Sequence, residues 1–479
     1  MTEKRSVAII GAGIFGISLA VALRERNYKV TVFERNRYDP NGYSPEADAQ
    51  AASVDLNKIF RASYGTELHY QRLAMESREA WLAEDEKRIS SQTDDRNERK
   101  LFVNSGMLRV QPTREMEALE KETLENMERD GLQHTQFVKS NPEDQQRADS
   151  LGWKAKLLDF EIPQIFPPDS YEAVLDSLAG FVRCSNACAH YQEVAAAQGV
   201  KFYFGQLGAV ESLVKVQSTT ESGKEKVTGL KTKDGVIHSA DTVIVAAGSF
   251  STQVLPILSS HLESSSGSLA TFKIDPSDTK LWEKYSPENF PVITWKTAPR
   301  DGAGKDTGSI YVLPRTPEGF VKIGFRGIKF TNFQPAPEGT PFTQDGQWSV
   351  PLSSEASKSI PQRAVEAIKD FVSIFLPEFK DVPFHSTKLC WYTDSLDNSF
   401  LIDYVPNYAE GSVFVCTGGS GHGAKFLPVL GEHAADILEN GDSSSSYMRP
   451  FWRWRPEEPR KNGLEEGPAG SRNISASFS

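Results

Sequence analysis

A cysteine and a glycine-rich segment lie close together near the C-terminal end of the sequence. The cysteine is Cys390, in the segment LCWYT at residues 389–393, and the glycine-rich segment is TGGSGHGAKF at residues 417–426. A glycine-rich turn that opens a helix lets backbone N–H groups approach a planar or anionic ligand. We therefore expect residues 417–426 to form a ligand-binding turn.

A second glycine pattern, GAGIFG at residues 11–16, lies at the opposite end of the chain. It follows an apolar strand pattern at residues 6–10 and precedes a helical pattern and a second strand at residues 29–34. In such a βαβ unit Gly11 permits a tight turn, Gly13 admits a pyrophosphate, and Gly16 allows helix and strand to pack closely. Glu34 is placed to accept hydrogen bonds from ribose hydroxyls and would repel a 2′-phosphate, which disfavours NADP. A glycine turn without a ligand is the alternative.

Another apolar strand ends in small residues, VAAG at residues 245–248. A strand of this kind far downstream of the first glycine pattern favours flavin over NAD. Two cofactor-type turns at opposite ends of one chain then indicate a single composite site.

The composition limits the classes of protein and partner. The 479 residues are too many for one simple core, so we expect two interleaved domains. A net charge of −11 argues against nucleic acid or an anionic membrane as the main partner. No segment has the about 20 apolar residues of a membrane span, and the apolar run before Gly11 is too short for a signal peptide. Four cysteines do not indicate a disulfide framework, which favours a reducing compartment. Cys184 and Cys188 are expected to pack in the core, and no metal site is predicted.

Hydrophobic periodicity predicts the elements that must position these residues. It indicates helices over residues 66–82, 114–130 and 171–199, and strands over 201–204, 242–248, 308–312 and 319–325. The last two strands belong to an antiparallel sheet expected between about residues 270 and 385. Residues 84–100 are interpreted as a solvated insertion, and residues 262–268 as a serine-rich surface loop.

Five segments together resemble the fungal fructosyl amino acid oxidase and saccharopine oxidase group and, more distantly, monomeric sarcosine oxidase. They are residues 11–34, 52–65, 390–403, 418–426 and 452–456. The resemblance spans nearly the whole chain and implies the D-amino acid oxidase-like fold of FAD-dependent amine oxidases. This is an α/β fold with a Rossmann-like FAD-binding domain and an α+β substrate domain that has a large antiparallel sheet. The implied FAD-binding domain is discontinuous, at residues 1–90, 165–260 and 385–455. The substrate domain takes residues 91–164 and 261–384, and residues 456–479 form a loosely ordered tail.

The resemblance also implies which residues hold the cofactor. Cys390 would be linked through its sulfur to the 8α-carbon of the flavin, so that FAD is covalently attached. Cys416 is the competing candidate, and packing as a small hydrophobic residue is the alternative role for Cys390. His422 is expected to contact the flavin through its backbone rather than to act as a base. The expected cofactor contacts are Gly11, Gly13, Ile14, Phe15, Gly16, Glu34, Arg35, Ser53, Lys58, Gly248, Gly421, His422, Gly423 and Lys425, besides Cys390.

The same resemblance assigns catalytic roles. Arg61 and Lys425 match positions that bind the substrate carboxylate, a task suited to a guanidinium and an ammonium. Lys322 falls where the family carries the lysine that activates oxygen, and Tyr311, eleven residues earlier, matches an active-site tyrosine. Lys58 matches a position near the flavin and, three residues before Arg61, would share a helix face with it.

Arg326 departs from the family pattern. Sarcosine oxidase has a histidine four residues after its lysine, where this chain has Arg326. The difference argues against a substrate as small as sarcosine and indicates a larger or differently charged one.

Together these residues predict an FAD-dependent oxidase of a secondary, N-substituted amino acid. A hydride equivalent passes from the C–H next to nitrogen to the flavin, an imine forms, and O2 is reduced to hydrogen peroxide. The imine is either hydrolysed or trapped by ring closure in a biosynthetic enzyme. A fructosyl amino acid deglycating oxidase, a saccharopine or pipecolate oxidase, a dehydrogenase that uses an electron carrier, and a non-catalytic nucleotide-binding protein are the alternatives.

The expected partners are a carboxylate-bearing amine and O2, without nucleic acid or membrane. The family is often monomeric, so a monomer is expected. The chain ends in SFS rather than in the Ser-Lys-Leu peroxisomal signal, and we therefore expect the enzyme in the cytoplasm.

Overall fold

The computed structural model describes residues 5–38, 43, 49–90, 100–111, 114–157, 171–299, 307–337, 346–455, 461–464 and 466–474. Within these ranges the strands are β1 Ser6–Ile10, β2 Lys29–Glu34, β3 Lys58–Phe60, β4 Phe102–Val103, β5 Met107–Val110, β6 Gln136–Val138, β7 Ala173–Asp176, β8 Gly180–Val182, β9 Lys201–Phe204, β10 Val210–Gln217, β11 Glu225–Thr232, β12 Ile237–Ser239, β13 Thr242–Val245, β14 Leu262–Lys273, β15 Val292–Pro299, β16 Thr307–Leu313, β17 Phe320–Phe330, β18 Phe333–Pro335, β19 Gln347–Ser349, β20 Ser386–Ser395, β21 Leu401–Tyr404 and β22 Val413–Thr417. The α-helices are α1 Ile14–Glu25, α2 Leu68–Ser90, α3 Ala118–Arg129, α4 Pro142–Ser150, α5 Lys154–Leu157, α6 Cys184–Ala197, α7 Ser251–Val254, α8 Thr279–Lys284, α9 Gln362–Phe375, α10 Leu427–Asn440 and α11 Arg449–Trp452.

A six-stranded sheet contains the predicted βαβ unit. Its strand order is β21-β22-β13-β1-β2-β9, and all neighbours are parallel except β21 and β22. Val7 and Ile9 of β1 pack in one core with α1, α6 and α10, whereas Ala8 and Ile10 face a second core on the other side. Because both faces are covered, β1 is apolar from Val7 to Ile10, which is why the sequence predicts it well. The Rossmann-like arrangement is confirmed.

An eight-stranded sheet forms the second layer of the molecule. Its order is β20-β14-β17-β16-β15-β5-β7-β6, and only β15 and β5 are parallel neighbours. Helix α9 covers it with one apolar face, which includes Ile368, Phe371 and Phe375. The large antiparallel sheet of the second domain is confirmed.

Two strands of the eight-stranded sheet fall on the other side of the predicted domain boundaries. Strands β7 and β20 lie in ranges assigned to the FAD-binding domain, yet both pair within the large sheet. The apolar pattern of a strand does not reveal which distant strand it will pair with. The domain boundaries stay a prediction.

The serine-rich surface loop predicted at residues 262–268 is wrong, because these residues form the buried first half of β14. Two of their hydroxyls have acceptors inside the protein: Ser264 donates to the backbone oxygen of Ser249, and Ser265 donates to Asp394. Buried polar side chains of this kind need partners that only tertiary structure supplies.

Two helix predictions also need correction. Residues 171–199 are not one helix, because β7 and β8 precede α6, which begins at Cys184. Short apolar runs do not distinguish strand from helix by periodicity alone. Residues 84–90 belong to α2, which continues to Ser90, rather than to the predicted solvated insertion. Asp85 is buried there and accepts hydrogen bonds from the N–H groups of Leu101, at 2.6 Å, and Phe102, at 3.0 Å. Residues 91–99 lie outside the described residues.

The described part of the C-terminal tail packs on the protein rather than lying loose. The Lys329 ammonium donates to the backbone oxygen of Asn462 at 2.7 Å, and the N–H of Ile474 donates to Thr331 at 2.7 Å. Leu464 and Ile474 are buried. Residues 456–460, 465 and 475–479 lie outside the described residues.

All four cysteines are buried free thiols. In the part of the chain that the structure describes, no helix is long and apolar enough to cross a membrane.

Candidate active site

A cavity of about 740 Å³ extends from the turn after β1 to the eight-stranded sheet. Of the predicted site residues, only Gly16 and Lys322 lie outside its lining. The lining includes Gly11, Gly13, Ile14, Phe15, Glu34, Arg35, Ser53, Lys58, Arg61, Gly248, Tyr311, Arg326, Cys390, Gly421, His422, Gly423 and Lys425. The structure therefore brings both glycine-rich turns and the predicted catalytic residues to one place.

The turn between β1 and α1 needs glycine at two positions. Gly11 has φ +108°, and a Cβ there would lie 2.5 Å from the backbone oxygen of Ala246. A Cβ at Gly16 would lie 2.0 Å from the oxygen of Gly11. These contacts pack β1, α1 and the end of β13 together. Gly16 therefore serves the packing of the helix on the strand and does not line the cavity.

The wall beside Gly13 fits the pyrophosphate of a dinucleotide. A Cβ at Gly13 would meet one neighbouring atom within 4 Å, Ser53 Oγ at 4.0 Å. This hydroxyl is buried and has no hydrogen-bond partner among the described residues. Helix α1 starts at Ile14 without a side-chain cap and without an acidic residue in its first turn. Uncapped N–H groups at a helix start, next to a free hydroxyl, are suited to an anion.

Glu34 is fixed at the end of β2. Its Oε2 accepts the N–H of Ala12 at 2.9 Å, and its Oε1 accepts the N–H and the side-chain amide of Asn36, both at 2.8 Å. Burial raises the pKa of Glu34, although these N–H groups act in the opposite direction. The carboxylate has lone pairs left for ribose hydroxyls. The neighbouring Arg35 lies over the Phe250 ring, with 3.7 Å between Cζ and the ring centroid.

Asp55 holds two lysines beside the Cys390 thiol. Its Oδ2 accepts the Lys58 ammonium at 2.6 Å, and its two oxygens accept the Lys322 ammonium at 3.0 and 2.9 Å. Lys322 also donates to the backbone oxygen of Asn57. Lys58 Nζ lies 3.5 Å from Cys390 Sγ. Lys322 is 1% exposed and lies behind the cavity wall, where its ion pair with Asp55 holds it.

The charges of this cluster shift one another's pKa values. Burial acts to raise the pKa of Asp55, but Lys322 and Lys58 outweigh it and hold that pKa well below its usual range. Burial lowers the pKa of Lys322 despite Asp55. For Lys58, burial is outweighed by Asp55 and Cys390, and its pKa is raised. Since one carboxylate serves two ammonium groups, one positive charge is left over.

Asp55 has no role in the prediction from sequence, although it binds two of the predicted site residues. One signal was present, because Asp55 precedes Lys58 by three residues. Its second partner, Lys322, is 267 residues away along the chain. No local pattern could have shown that contact.

Arg61 and Lys425 form a cationic end of the cavity. Lys425 Nζ donates to the backbone oxygen of Arg61 at 3.2 Å, and Arg61 Nη1 donates to that of Ser63 at 3.3 Å. Both cations face the Tyr64 ring, at 4.3 Å for Arg61 Cζ and 4.6 Å for Lys425 Nζ. Among the described residues, no carboxylate lies within ion-pair distance of either. Burial and then Arg61 lower the pKa of Lys425 well below its usual range.

Lys58 and Arg61 do not share a helix face as expected. Lys58 begins strand β3, which pairs with β8, and Arg61 follows the end of that strand. Both nevertheless line the cavity.

Tyr311 packs on Gly324, which lies midway between Lys322 and Arg326 on β17. It is the cross-strand partner of Gly324, and a Cβ at Gly324 would lie 2.0 Å from its ring carbon Cζ. The ring therefore covers Gly324, and alternate residues of β17 place Lys322 and Arg326 on the same face. Burial raises the pKa of Tyr311.

The His422 ring is held among aromatic side chains. Its centroid lies 4.8 Å from Tyr70 and 4.9 Å from Phe400, and Nε2 lies 3.1 Å from the backbone oxygen of Asn398. Burial, with Lys425 next, lowers the pKa of His422 well below its usual value. A buried ring with a lowered pKa is a weak proton acceptor, and its aromatic neighbours hold it in place.

Comparison with known proteins extends this picture to most of the chain. The family model of FAD dependent oxidoreductases, DAO, matches residues 6–437. The chain is 27% identical to L-saccharopine oxidase of Schizosaccharomyces pombe, with 95% of this chain and 94% of that protein covered. It is 23% identical to monomeric sarcosine oxidase of a Bacillus species, with 92% and 94% covered. Among solved structures, a modified fructosyl peptide oxidase from Aspergillus nidulans has a similar fold, with a TM-score of 0.76, 24% identity, and 99% and 98% of the two chains covered.

Proposed function

The chain belongs to the DAO family of FAD-dependent oxidoreductases, and we propose that it oxidises the secondary amine of an N-substituted amino acid with O2 as acceptor. The observation that carries this proposal is the pair Arg61 and Lys425, two cations at the cavity wall without an ion-pair partner among the described residues. Relatives named L-saccharopine oxidase, monomeric sarcosine oxidase and N-methyl-L-tryptophan oxidase support it.

When bound, FAD supplies a hydride acceptor for the C–H next to the amine nitrogen and a route for the electrons to O2. The residues that would hold it are the turn at residues 11–16, Glu34, Ser53 and the turn at residues 421–423. These residues fit a dinucleotide because uncapped N–H groups, a free hydroxyl and a fixed carboxylate follow one another along the cavity.

We propose that Cys390 holds the flavin covalently. Cys390 lines the cavity, and its sulfur lies 3.5 Å from the Lys58 ammonium. Cys416 also lines the cavity, but it lies within β22, where burial raises the pKa of its thiol. Cys416 is therefore the weaker candidate.

The substrate is bound and oriented by residues of this chain. Arg61 and Lys425 would take its carboxylate, which fixes the C–H next to nitrogen in one orientation. Lys322, held by Asp55, supplies a positive charge that stabilises negative charge developing on O2. No base is required when the amine enters neutral. The imine is then hydrolysed or closed into a ring by a nucleophile of the substrate.

A peroxide-coupled screen of the purified holoenzyme tests the proposal. The panel contains N-methyl, N-fructosyl and cyclic amino acids and saccharopine, each compared with its carboxamide. We expect peroxide from at least one acid and a loss of about tenfold or more in kcat/KM for its amide, because a charge-assisted pair is lost. Silence across the panel, or equal rates for acid and amide, would contradict the proposal.

The covalent link has its own test. Acid-precipitated wild-type protein should stay yellow, and precipitated Cys390→Ser should be colourless. Cys416→Ser is the matched control and should stay yellow. Colour retained by Cys390→Ser would show that the anchor is elsewhere.

We further propose that the enzyme acts as a monomer in the cytoplasm. The four free thiols support a reducing compartment. Sedimentation of the purified protein tests the oligomeric state.

A further inference from the structure

Arg326 lies at the cavity wall with few partners. Its Nη2 makes one long contact, 3.5 Å to the backbone oxygen of Ser420, and its Nε is buried without a hydrogen-bond partner among the described residues. The guanidinium packs against the glycine turn at residues 418–423, since a Cβ at Gly421 would be 2.6 Å from Nη2. The Tyr392 ring faces it at 5.5 Å from Cζ.

No carboxylate among the described residues forms an ion pair with Arg326. Asp394 is within electrostatic reach, but it is already bound by Lys329 at 2.8 Å and by Ser265. Other cavity-lining cations are neutralised differently: Arg109 pairs with Glu120 at 2.7 Å, and Lys296 pairs with Glu117 at 2.6 Å. Arg326 is therefore a cation with hydrogen-bonding capacity left over.

The same end of the cavity already contains Arg61 and Lys425. Electrostatic repulsion from Arg61 and Arg326 acts on Lys425, and Glu67 offsets it only in part without an ion pair. One substrate carboxylate would neutralise one of these three cations. An additional anionic group would relieve the repulsion that remains and would use the free donors of Arg326.

We propose that Arg326 binds a second carboxylate of the substrate, so that the preferred substrate is an N-substituted amino acid with two acidic groups. This inference rests on the proposed function, because it assigns Arg61 and Lys425 to the first carboxylate. A planar guanidinium with an unused Nε–H is suited to two-point recognition of a carboxylate. The Tyr392 ring and the backbone of the turn at residues 418–423 would keep it in place.

Two measurements on the holoenzyme test the assignment. The first is the dissociation constant, by calorimetry, of two non-oxidisable acids of equal length, glutarate and pentanoate. The second is kcat/KM for peroxide formation from iminodiacetate and N-methylglycine, which differ by one carboxylate. The variants are Arg326→Gln, Arg326→Lys as the charge-conserving change, and Lys296→Gln as the matched cavity-lining cation that already has a partner.

We expect the wild-type enzyme to favour the diacid in each pair by about tenfold or more, the effect of one additional charge-assisted contact. Arg326→Gln should remove the preference while pentanoate binds as before, Arg326→Lys should retain part of it, and Lys296→Gln should leave it unchanged. Equal affinities for glutarate and pentanoate in the wild type, or an equal loss for both in Arg326→Gln, would overturn the inference. A glutarate preference without peroxide from any amine would uphold the anion site and overturn the proposed function.

Discussion

Asp55 sets the charge next to Cys390 at the scale of single residues. It accepts both Lys58 and Lys322, so that one of the two positive charges is not neutralised. Fixed hydrogen bonds hold Lys322 in place before any reaction starts. A preorganised cation stabilises charge transfer to O2 more effectively than a mobile one, because no reorganisation is needed.

Replacing Lys322 with Met should therefore impair one half-reaction selectively. Reoxidation of the reduced enzyme by air should slow by about a hundredfold, the usual effect of removing a preorganised charge-stabilising group. Anaerobic reduction by substrate should change far less. Stopped-flow absorbance measures both steps. The control is Lys329→Met, on the same strand but paired with Asp394, which should slow neither step selectively. Equal slowing of both steps in Lys322→Met would remove its assigned role.

Lys425 should make carboxylate binding depend on pH. Burial and Arg61 lower its pKa, so the free enzyme loses this proton below the usual range for lysine. A bound carboxylate stabilises the ammonium and raises that pKa, so binding takes up a proton and weakens as pH rises through the lowered pKa. Calorimetry of pentanoate binding in buffers of different ionisation enthalpy measures this uptake. Lys425→Arg, which keeps its charge, should abolish it; equal uptake in that variant would point to another group.

The βαβ turn shows at the scale of elements which glycines serve the fold and which serve the ligand. Gly16 has no room for a methyl group against Gly11, whereas the space beside Gly13 opens toward the cavity. The two residues occur in one motif, yet their physical constraints differ.

Alanine at these positions should give separable effects. Gly16→Ala should lower the free energy of unfolding of the apoprotein by about 1–3 kcal/mol through overpacking. Gly13→Ala should change it by less than about 0.5 kcal/mol and should instead reduce the flavin content, because the new methyl group occupies the proposed pyrophosphate position. Thermal unfolding of the apoprotein and flavin absorbance of the purified protein measure the two effects. Wild-type flavin content in Gly13→Ala would contradict the assigned position.

The sequence predicted those elements whose pattern is local. Strands β1 and β2 are covered on both faces and follow a glycine motif, so their assignment was direct. Strand β14 was misread because a buried serine such as Ser265 bonds to a residue more than a hundred positions away, Asp394. Asp55 was left without a role for the same reason. Cys390, Lys425 and Arg326 were found through resemblance to a family, and the structure adds their distances and charges.

At the scale of the whole molecule, the two large sheets meet at the cavity. Cys390 lies on β20 of the eight-stranded sheet, whereas the glycine turn at residues 418–423 follows β22 of the six-stranded sheet. Neither sheet alone holds the whole of the proposed site. The chain crosses between them repeatedly, and strands β7 and β20 pair within the eight-stranded sheet.

The central claim is that this cavity carries out amine oxidation with O2 as acceptor. The most direct measurement mixes the yellow holoenzyme with the best amine of the screen without oxygen and then admits air. We expect loss of the visible flavin absorbance in the first step, and its return with one hydrogen peroxide per flavin in the second. The proposed function would be contradicted if no amine reduced the flavin absorbance. It would also be contradicted if the absorbance returned only with an electron carrier and without peroxide.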